Sequence, residues 1–342
     1  MAPIRVMLVD DSILFLGAMK QAIEKEPNLV VAGTAANGVE ALEKVGVFRP
    51  NVIVCDVQMP KMSGIEFVKA LLQRHKIPVV VISGTPGVTL SALASGAVDF
   101  IPKPAAGEPK DAFFKRMLNT IRTAAAANVG AKIAVTHSPA HHAVGMLTGA
   151  PKDVVVAIGA STGGTDAIAA VVRDLPADFP PTLVTQHMPA GFTAMYAERL
   201  DRECKMTVKE AKDGDRLVKG RILLAAGDHH LRLRKDAQGY FASSRTGEKV
   251  NGHMPSVDVL FDSVAELAGP RSVGVILTGM GGDGAEGLVK MRRAGAYTIG
   301  QDRETSVVYG MPMMAFNKGG VVKQLPLHEI PDNLIAHLNK LR

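Results

Sequence analysis

The feature that most constrains the fold is an alternation of short apolar runs with segments of helical spacing. In roughly the first 120 residues the apolar runs are IRVMLV (4–9), LVVAGTA (29–35), VIVC (52–55), PVVVIS (78–83) and AVDFI (97–101). Strands that alternate with helices form parallel, doubly wound sheets. We therefore predict an N-terminal α/β domain with five parallel strands.

A second alternation begins at residue 152, with apolar runs such as DVVVAIGA, PTLVTQHM and SVGVILTG. Between the two, residues 124–151 lose the periodicity and are rich in Ala, Gly, Pro and His. We predict a first domain at 1–123, a linker at 124–151, and a second α/β domain with a mainly parallel sheet at 152–342.

Three histidines of the predicted linker, His137, His141 and His142, raise the question of a metal site. No carboxylate or cysteine is close to them in sequence, whereas protein zinc sites usually combine several such ligands. We predict a solvated tether here.

Composition excludes several classes of function. The formal charge of +6 is spread without a dense basic block, so we predict no nucleic-acid partner. No apolar run reaches about 18 residues, which predicts no insertion into a membrane. The N-terminal residues do not show the basic segment followed by a long apolar segment that is typical of a signal peptide. Cys55 and Cys204 do not suggest a disulfide framework. These observations predict a cytoplasmic protein.

Five polar residues of the first domain stand where predicted strands end. They are Asp10, Asp11, Asp56, Ser83 and Lys103. Carboxyl ends of parallel strands meet at one edge of a sheet, so these side chains are expected to converge. Carboxylates that repel one another favour a hard cation such as Mg²⁺, and the lysine and the hydroxyl complete a site for a phosphoryl group.

The motifs MLVDDS, VIVCDVQMPKMSGIEF, VISG and DFIPKP over about residues 4–120 resemble response-regulator receiver domains, which have a flavodoxin-like fold. The resemblance implies that Asp56 is the phosphoacceptor. It also implies that Mg²⁺ is held by Asp11, Asp56 and the carbonyl of Gln58, supported by Asp10, while Ser83 and Lys103 contact the phosphate. In one departure, the segment 83–96 is a few residues shorter than is usual in the family.

The second domain contains GASTGG at residues 159–164, between a predicted strand and a predicted helix. A dinucleotide-binding loop requires Gly at Ser161, and a P-loop requires Lys and then Ser or Thr after Gly164, so neither phosphate-binding motif fits. The spacing Gly-x-Ser-x-Gly does fit a nucleophile elbow that exposes Ser161. From these residues alone, an ordinary turn between strand and helix remains the alternative.

A serine nucleophile needs a base and a carboxylate that orients the base. His187 follows the strand in TLVTQHMPAGF, and Asp283 lies in the loop of LTGMGGDGAEG. Other residues compete for these roles: His229, His230 and His253 as base, and Asp228 and Asp258 as orienting carboxylate. The order Ser, His, Asp differs from that of the α/β hydrolases.

The motifs IGASTGG, QHMPAGFT, VNGHMPSVDVLFDSVA and LTGMGGDGA behind a receiver resemble the CheB family of chemotaxis methylesterases and glutamine deamidases over nearly the whole chain. The resemblance implies Ser161 as nucleophile, His187 as base and then acid, and Asp283 as orienting carboxylate. It also implies that the N–H groups of Met280 and Thr162 hold the oxyanion. Met254 departs from the pattern, because family members often carry a basic residue there.

The resemblance also implies partners and regulation. Methyl-accepting chemoreceptors are the expected substrates, a chemotaxis histidine kinase is the expected phosphodonor, and the esterase reaction is expected to need no cofactor. As a hypothesis, the receiver covers the Ser161 cleft until Asp56 is phosphorylated. Two alternatives stay open: a receiver-gated serine hydrolase of another ester, and a response regulator without enzymatic activity.

Overall fold

A computed structural model describes residues 2–104, 107–136, 145–149 and 153–341. The chain divides into two compact units, Met1–His137 and Ser138–Arg342, and each is described by itself below. Within the described ranges, no helix has the length and apolar character needed to cross a membrane.

The first unit is a five-stranded parallel sheet with the order β2-β1-β3-β4-β5 and helices between the strands. The strands are β1 (Ile4–Val9), β2 (Leu29–Ala35), β3 (Val52–Asp56), β4 (Val79–Ser83) and β5 (Asp99–Pro102). The helices are α1 (Ile13–Glu24), α2 (Gly38–Phe48), α3 (Gly64–Leu72), α4 (Pro86–Ala94), α5 (Lys110–Ala125) and α6 (Val129–Thr136). The predicted doubly wound fold is confirmed.

Local capping explains where the first three of these helices begin. The Ser12 side chain accepts a hydrogen bond from an N–H of the first turn of α1, and Asn37 does the same for α2. Ser63 forms a reciprocal capping box with Glu66 in α3. Such caps satisfy N–H groups that the helix itself leaves without partners. The cap at Ser12 also fixes the turn that follows Asp10 and Asp11.

Helix α6 lies inside the range 124–151, for which we predicted no periodic structure. Val129, Ala131 and Lys132 are buried, and the Asn128 side chain accepts a hydrogen bond from the N–H of Ala131 (3.1 Å). Asn128 is an N-cap signal that the search for apolar periodicity overlooked.

Part of the remaining range is bonded to the second unit's last helix, α12 (Ile330–Leu338). The N–H of Gly145 donates to Asp332 (3.0 Å), and the N–H of Thr148 donates to Asn339 (2.7 Å), just beyond the helix. His137, His141 and His142, the histidines considered as a metal site, lie outside the described residues.

The second unit is built on a seven-stranded parallel sheet with the order β14-β13-β12-β6-β7-β9-β8, and a separate antiparallel hairpin. The strands are β6 (Val155–Ala160), β7 (Thr182–Gln186), β8 (Thr207–Glu210), β9 (Arg221–Leu224), β10 (His230–Asp236), β11 (Gly239–Arg245), β12 (Ser272–Ile276), β13 (Tyr297–Gln301) and β14 (Lys323–Leu325). Besides α12, the helices are α7 (Gly164–Val172), α8 (Phe192–Glu203), α9 (Val257–Leu267), α10 (Ala285–Arg293) and α11 (Met311–Asn317). The predicted parallel α/β domain is confirmed.

The β10–β11 hairpin packs its inner face on α9. Leu231, Leu233 and Ala242 belong to the same buried apolar cluster as Leu260 and Val264 of that helix. Alternation along a strand sends the neighbouring side chains to the opposite face, so the hairpin has one apolar and one polar face.

The order of the central strands explains why distant segments meet. Strand β6 lies between β12 and β7, and all three run parallel. The carboxyl end of β6 leads into Ser161, that of β7 into His187, and that of β12 into the loop 277–284. These three segments therefore emerge side by side at one edge of the sheet, where open α/β sheets carry their sites.

Candidate active site and receiver site

Ser161 stands in a tight turn between β6 and α7. Its N–H donates to the carbonyl of Thr278 (3.0 Å), and its own carbonyl accepts from the N–H of Gly164 (2.7 Å). Gly163 has φ of +77°, a conformation that favours glycine. This geometry is the strand, turn and helix that a nucleophile elbow requires.

A second glycine allows the loop after β12 to approach Ser161 closely. A Cβ atom added to Gly279 would lie 2.7 Å from the Cβ of Ser161 and 2.3 Å from the sulfur of Met311. These distances are shorter than real contacts, so a side chain at position 279 would displace Ser161 or the loop.

Asp283 is the most heavily bonded carboxylate of the site and is 2% exposed. Its oxygens accept hydrogen bonds from His187 Nε2 (2.8 Å), Ser256 Oγ (2.7 Å), Asn251 Nδ2 (2.8 Å) and the N–H groups of Val257 (2.7 Å) and Asp258 (3.3 Å). Burial alone would raise the pKa of Asp283, but the bonds from His187, Asn251 and Ser256 hold that pKa well below its usual range. Asp283 is therefore ionised at the start of α9, where helix N–H groups favour negative charge.

The bond to Asp283 determines which nitrogen of His187 can act as a base. An ionised carboxylate only accepts hydrogen bonds, so Nε2 carries the proton and Nδ1 of the neutral ring keeps its lone pair. Within the described residues, Nδ1 is buried and has no hydrogen-bond partner. The structure thus brings His187 and Asp283 together, whereas among the described residues Ser161 Oγ makes no hydrogen bond to His187.

His253 stacks face to face on His187. The ring centroids are 3.7 Å apart and the planes differ by 8°. Burial and, to a lesser extent, the neighbouring His187 lower the pKa of His253 to about 4, so His253 is neutral at pH 7. Sequence reasoning treated His253 as a competing base; the structure places it as a flat support for the ring of His187.

The other competing residues have structural roles. Both ring nitrogens of His230 are bonded, because Nδ1 accepts from the N–H of Ser256 (3.3 Å) and Nε2 donates to the carbonyl of Glu248 (2.8 Å). His229 Nδ1 is bonded to the carbonyl of Gly227, two residues earlier. Asp258 accepts from the N–H of Gly287 (2.6 Å), which fixes α9 to α10.

Asp228 has φ of +58° and lies in the turn before β10. The structure gives it no bond to a histidine of the site among the described residues.

The two groups expected to hold an oxyanion lie on the loops beside Ser161. Met280 follows Gly279 and is 48% exposed. Its N–H makes no hydrogen bond among the described residues. Thr162 is buried, and its carbonyl accepts from Thr278 Oγ1 (3.0 Å), which fixes the turn of Ser161. Met254, the departure from the family pattern, is half-buried beside His253.

Asn251 and Ser256 are functional residues that sequence reasoning missed. Both donate to Asp283, and both lie in the stretch VNGHMPSVDV, whose motif was used only to support the resemblance. Asn251 has φ of +54°, which asparagine tolerates better than most residues. The signal was the motif's two polar side chains just ahead of a helix.

The first unit brings its three predicted carboxylates together. Ligand oxygens of Asp10, Asp11 and Asp56 lie within 4.8 Å of one another. Lys103 Nζ donates to Asp56 Oδ2 (2.8 Å), while Asp56 Oδ1 accepts from the N–H of Val57 (2.7 Å). Burial, together with repulsion from Asp56, raises the pKa of Asp10 to about 6, although the bond from the N–H of Ser12 opposes the shift. Such a crowded oxygen cluster fits a hard divalent cation.

Ser83 and Gln58 stand at the rim of this cluster. Ser83 Oγ accepts from the N–H of Thr85 (3.2 Å), so its hydroxyl is bonded within the turn before α4. Gln58 is exposed, and its N–H is 3.5 Å from Asp56 Oδ1. The shortened segment 83–96 still forms a helix, α4, that begins at Pro86.

Comparison with known proteins finds two matching families. The CheB methylesterase family matches residues 156–334, and the response regulator receiver domain matches residues 6–110. A protein-glutamate methylesterase/protein-glutamine glutaminase 2 of Syntrophomonas wolfei is 45% identical over 343 residues, with 99% of this chain and 98% of the relative covered. A protein-glutamate methylesterase/protein-glutamine glutaminase of Yersinia pestis is 43% identical, with the same coverage.

Comparison with solved structures gives a result in agreement with the family matches. The crystal structure of the Thermotoga maritima CheB methylesterase catalytic domain is similar with a TM-score of 0.53 and 40% identity. The match covers 55% of this chain and all of that domain.

Proposed function

The chain belongs to the CheB methylesterase family, and from this membership we propose that Ser161, His187 and Asp283 hydrolyse glutamyl methyl esters of chemoreceptors. A receiver precedes the methylesterase domain, so the protein is a phosphorylation-regulated methylesterase and glutaminase of chemotaxis. The observation that carries the assignment of residues is the Asp283–His187 bond beside the Ser161 turn.

The first half of the reaction forms an acyl-enzyme. Ser161 Oγ attacks the γ-carbonyl carbon of the esterified glutamate, and His187 Nδ1 takes the hydroxyl proton. Asp283 stabilises the imidazolium through Nε2. The proton on Nδ1 then passes to the methoxy oxygen as the C–O bond breaks, and methanol leaves.

The second half regenerates the enzyme. Water attacks the glutamyl ester of Ser161 while Nδ1 takes a water proton, and that proton returns to Oγ as the glutamate carboxylate leaves. With glutamine the same steps release ammonia. We propose that the N–H groups of Met280 and Thr162 hold the oxyanion, where each such donor typically contributes about 3 kcal/mol to transition-state stabilisation.

The receiver supplies the control. We propose Asp56 as phosphoacceptor. Asp10, Asp11, Asp56 and the carbonyl of Gln58 would hold Mg²⁺, which would supply positive charge to offset that of the phosphoryl group. Lys103 already lies 2.8 Å from Asp56 and is expected to contact the phosphate. Ser83 is expected to exchange its bond within the α4 turn for one to a phosphate oxygen.

The proposed partners follow from the two domains. A chemotaxis histidine kinase provides the phosphoryl group, and chemoreceptors are the protein substrates. We place both reactions in the cytoplasm, which the two free cysteines, Cys55 and Cys204, support. We propose the domain limits 1–123 and 152–342, with 124–151 as the connection.

Methanol release from a receptor fragment labelled at its methyl esters tests this function. The full chain should release methanol, and release should rise with a small-molecule phosphodonor and Mg²⁺. Ser161→Ala should release none, whereas Asp56→Asn should keep the basal rate and lose the response to the donor. Hydrolysis of small esters alone, without the receptor esters, would point to another substrate.

A further inference from the structure

The outer face of the β10–β11 hairpin carries a pocket of about 470 Å³. Arg232 and Arg234 are two positions apart on β10 and therefore point to this face, where they lie opposite Ser243 and Phe241 of β11. Arg245 lies at the end of β11 and also lines the pocket. We call this site the hairpin arginine pocket.

The charges of the pocket are only partly balanced. Its lining contains three arginines and one carboxylate, that of Glu248, which leaves a formal excess of two positive charges. Arg245 is bonded to Asp213 (3.0 Å) at an exposed position. Arg232 and Arg234 make no ion pair with any residue that the structure describes, so both guanidinium groups are available to an anion.

The pocket is linked to the active site by hydrogen bonds. His230 lines it and accepts a hydrogen bond from the N–H of Ser256, whose hydroxyl donates to Asp283 (2.7 Å). Glu248 and Val250 line the pocket, and the next residue of the chain, Asn251, also donates a hydrogen bond to Asp283. The arginines thus lie on the same hairpin as a residue that is connected to Asp283 through the buried Ser256.

We propose that the hairpin arginine pocket binds a carboxylate side chain of the substrate protein that lies near the esterified glutamate. This inference rests on the proposed function. A planar guanidinium matches a carboxylate with two parallel hydrogen bonds. The pocket therefore selects a protein segment with acidic neighbours, whereas the esterified side chain itself is neutral.

A double variant, Arg232→Gln/Arg234→Gln, tests the pocket in the full chain. With a methyl-esterified receptor fragment, its KM should rise about tenfold while kcat stays near that of the wild type. The dependence of KM on salt should weaken, because screening acts on the lost charges. Arg271→Gln is the matched control: Arg271 is exposed and lies at the amino end of β12, away from the site.

A second substrate completes the test. When the acidic neighbours of the esterified residue are replaced by alanine, wild type and double variant should have the same raised KM. If wild type is active and the double variant has an unchanged KM, the proposal for the pocket is wrong but the proposed function stands. If wild type releases no methanol, the proposed function is wrong as well. Inorganic phosphate that raises the thermal stability of wild type but not of the double variant, with equal KM values, would assign the pocket to free phosphate.

Discussion

At the scale of single residues, Asp283 combines its proposed role in orienting the base with a contribution to stability. Its five hydrogen bonds join the loop after β12, the start of α9 and His187. A carboxylate that is better stabilised in the folded than in the unfolded chain couples folding to pH. The same bonds that position His187 therefore produce a measurable dependence of stability on pH.

We expect Asp283→Asn to lower kcat for ester hydrolysis about 10³–10⁴-fold, because the amide no longer stabilises the imidazolium. The depressed pKa of Asp283 means that its contribution to the free energy of unfolding is complete above the ordinary Asp pKa. That contribution is lost as pH falls below about 4 toward the folded value.

Urea unfolding of wild type and Asp283→Asn at several pH values measures the difference. The free energy of unfolding should be about 2–3 kcal/mol lower for Asp283→Asn than for wild type at pH 7, and this difference should shrink below about pH 4. A difference that does not change with pH would argue that the bonds to Asp283 do not depend on its charge.

His253 is expected to act through its flat ring rather than through a proton. His253→Ala should lower kcat about tenfold, since the His187 ring loses its stacking partner and samples more orientations. His253→Phe should restore most of the rate and leave the pH profile between 6 and 8 unchanged, because His253 is neutral there. Equal losses in the two variants would contradict a role in stacking.

At the scale of elements, the loops after β6 and β12 form the site only because glycine keeps them close. Gly279 is in contact with Ser161, whereas a Cβ at Gly282 would meet only Met314, at ordinary distances of 3.7 Å or more. Neither position has a left-handed φ. Alanine substitutions at the two positions therefore differ only in the space available to the added Cβ atom.

We expect Gly279→Ala to lower kcat at least a hundredfold, since displacement of Ser161 by a fraction of an ångström spoils its alignment. Gly282→Ala should cause a much smaller loss. Circular dichroism and thermal unfolding verify that both variants fold. Similar rates for the two variants would show that the loop adapts without moving Ser161.

At the scale of the whole molecule, the two units are separate bodies along the chain, with the connection partly bonded to the second. The N–H of Gly145 is bonded to Asp332 of α12, and the N–H of Thr148 is bonded to Asn339, the residue after that helix. A fragment that begins at residue 145 keeps these bonds, whereas one that begins at 153 loses them.

The fragment 145–342 is expected to fold and to hydrolyse receptor esters faster than the unphosphorylated full chain, if the receiver restrains the hydrolase. The fragment 153–342 should unfold at a lower temperature, because three hydrogen bonds, each contributing roughly 1 kcal/mol, are removed. Methanol release and thermal unfolding measure the two effects. A fragment as slow as the unphosphorylated full chain would rule out restraint by the receiver.

The sequence by itself determined the two α/β units, because strand and helix periodicities are local properties of the chain. It also determined the candidates Ser161, His187, Asp283 and the receiver carboxylates, because parallel strands deliver their carboxyl ends to one edge. It did not reveal α6, because the prediction relied on apolar periodicity and overlooked the cap at Asn128.

Only the tertiary structure distinguished the surroundings of the competing histidines, because neighbouring strands β12, β6 and β7 bring together residues more than a hundred positions apart. The fold bonds both nitrogens of His230, stacks His253 on His187 and directs Nε2 of His187 to Asp283. It also placed Asn251 and Ser256 on Asp283. Ring orientation and hydrogen-bond partners depend on packing in three dimensions, which no spacing along the chain encodes.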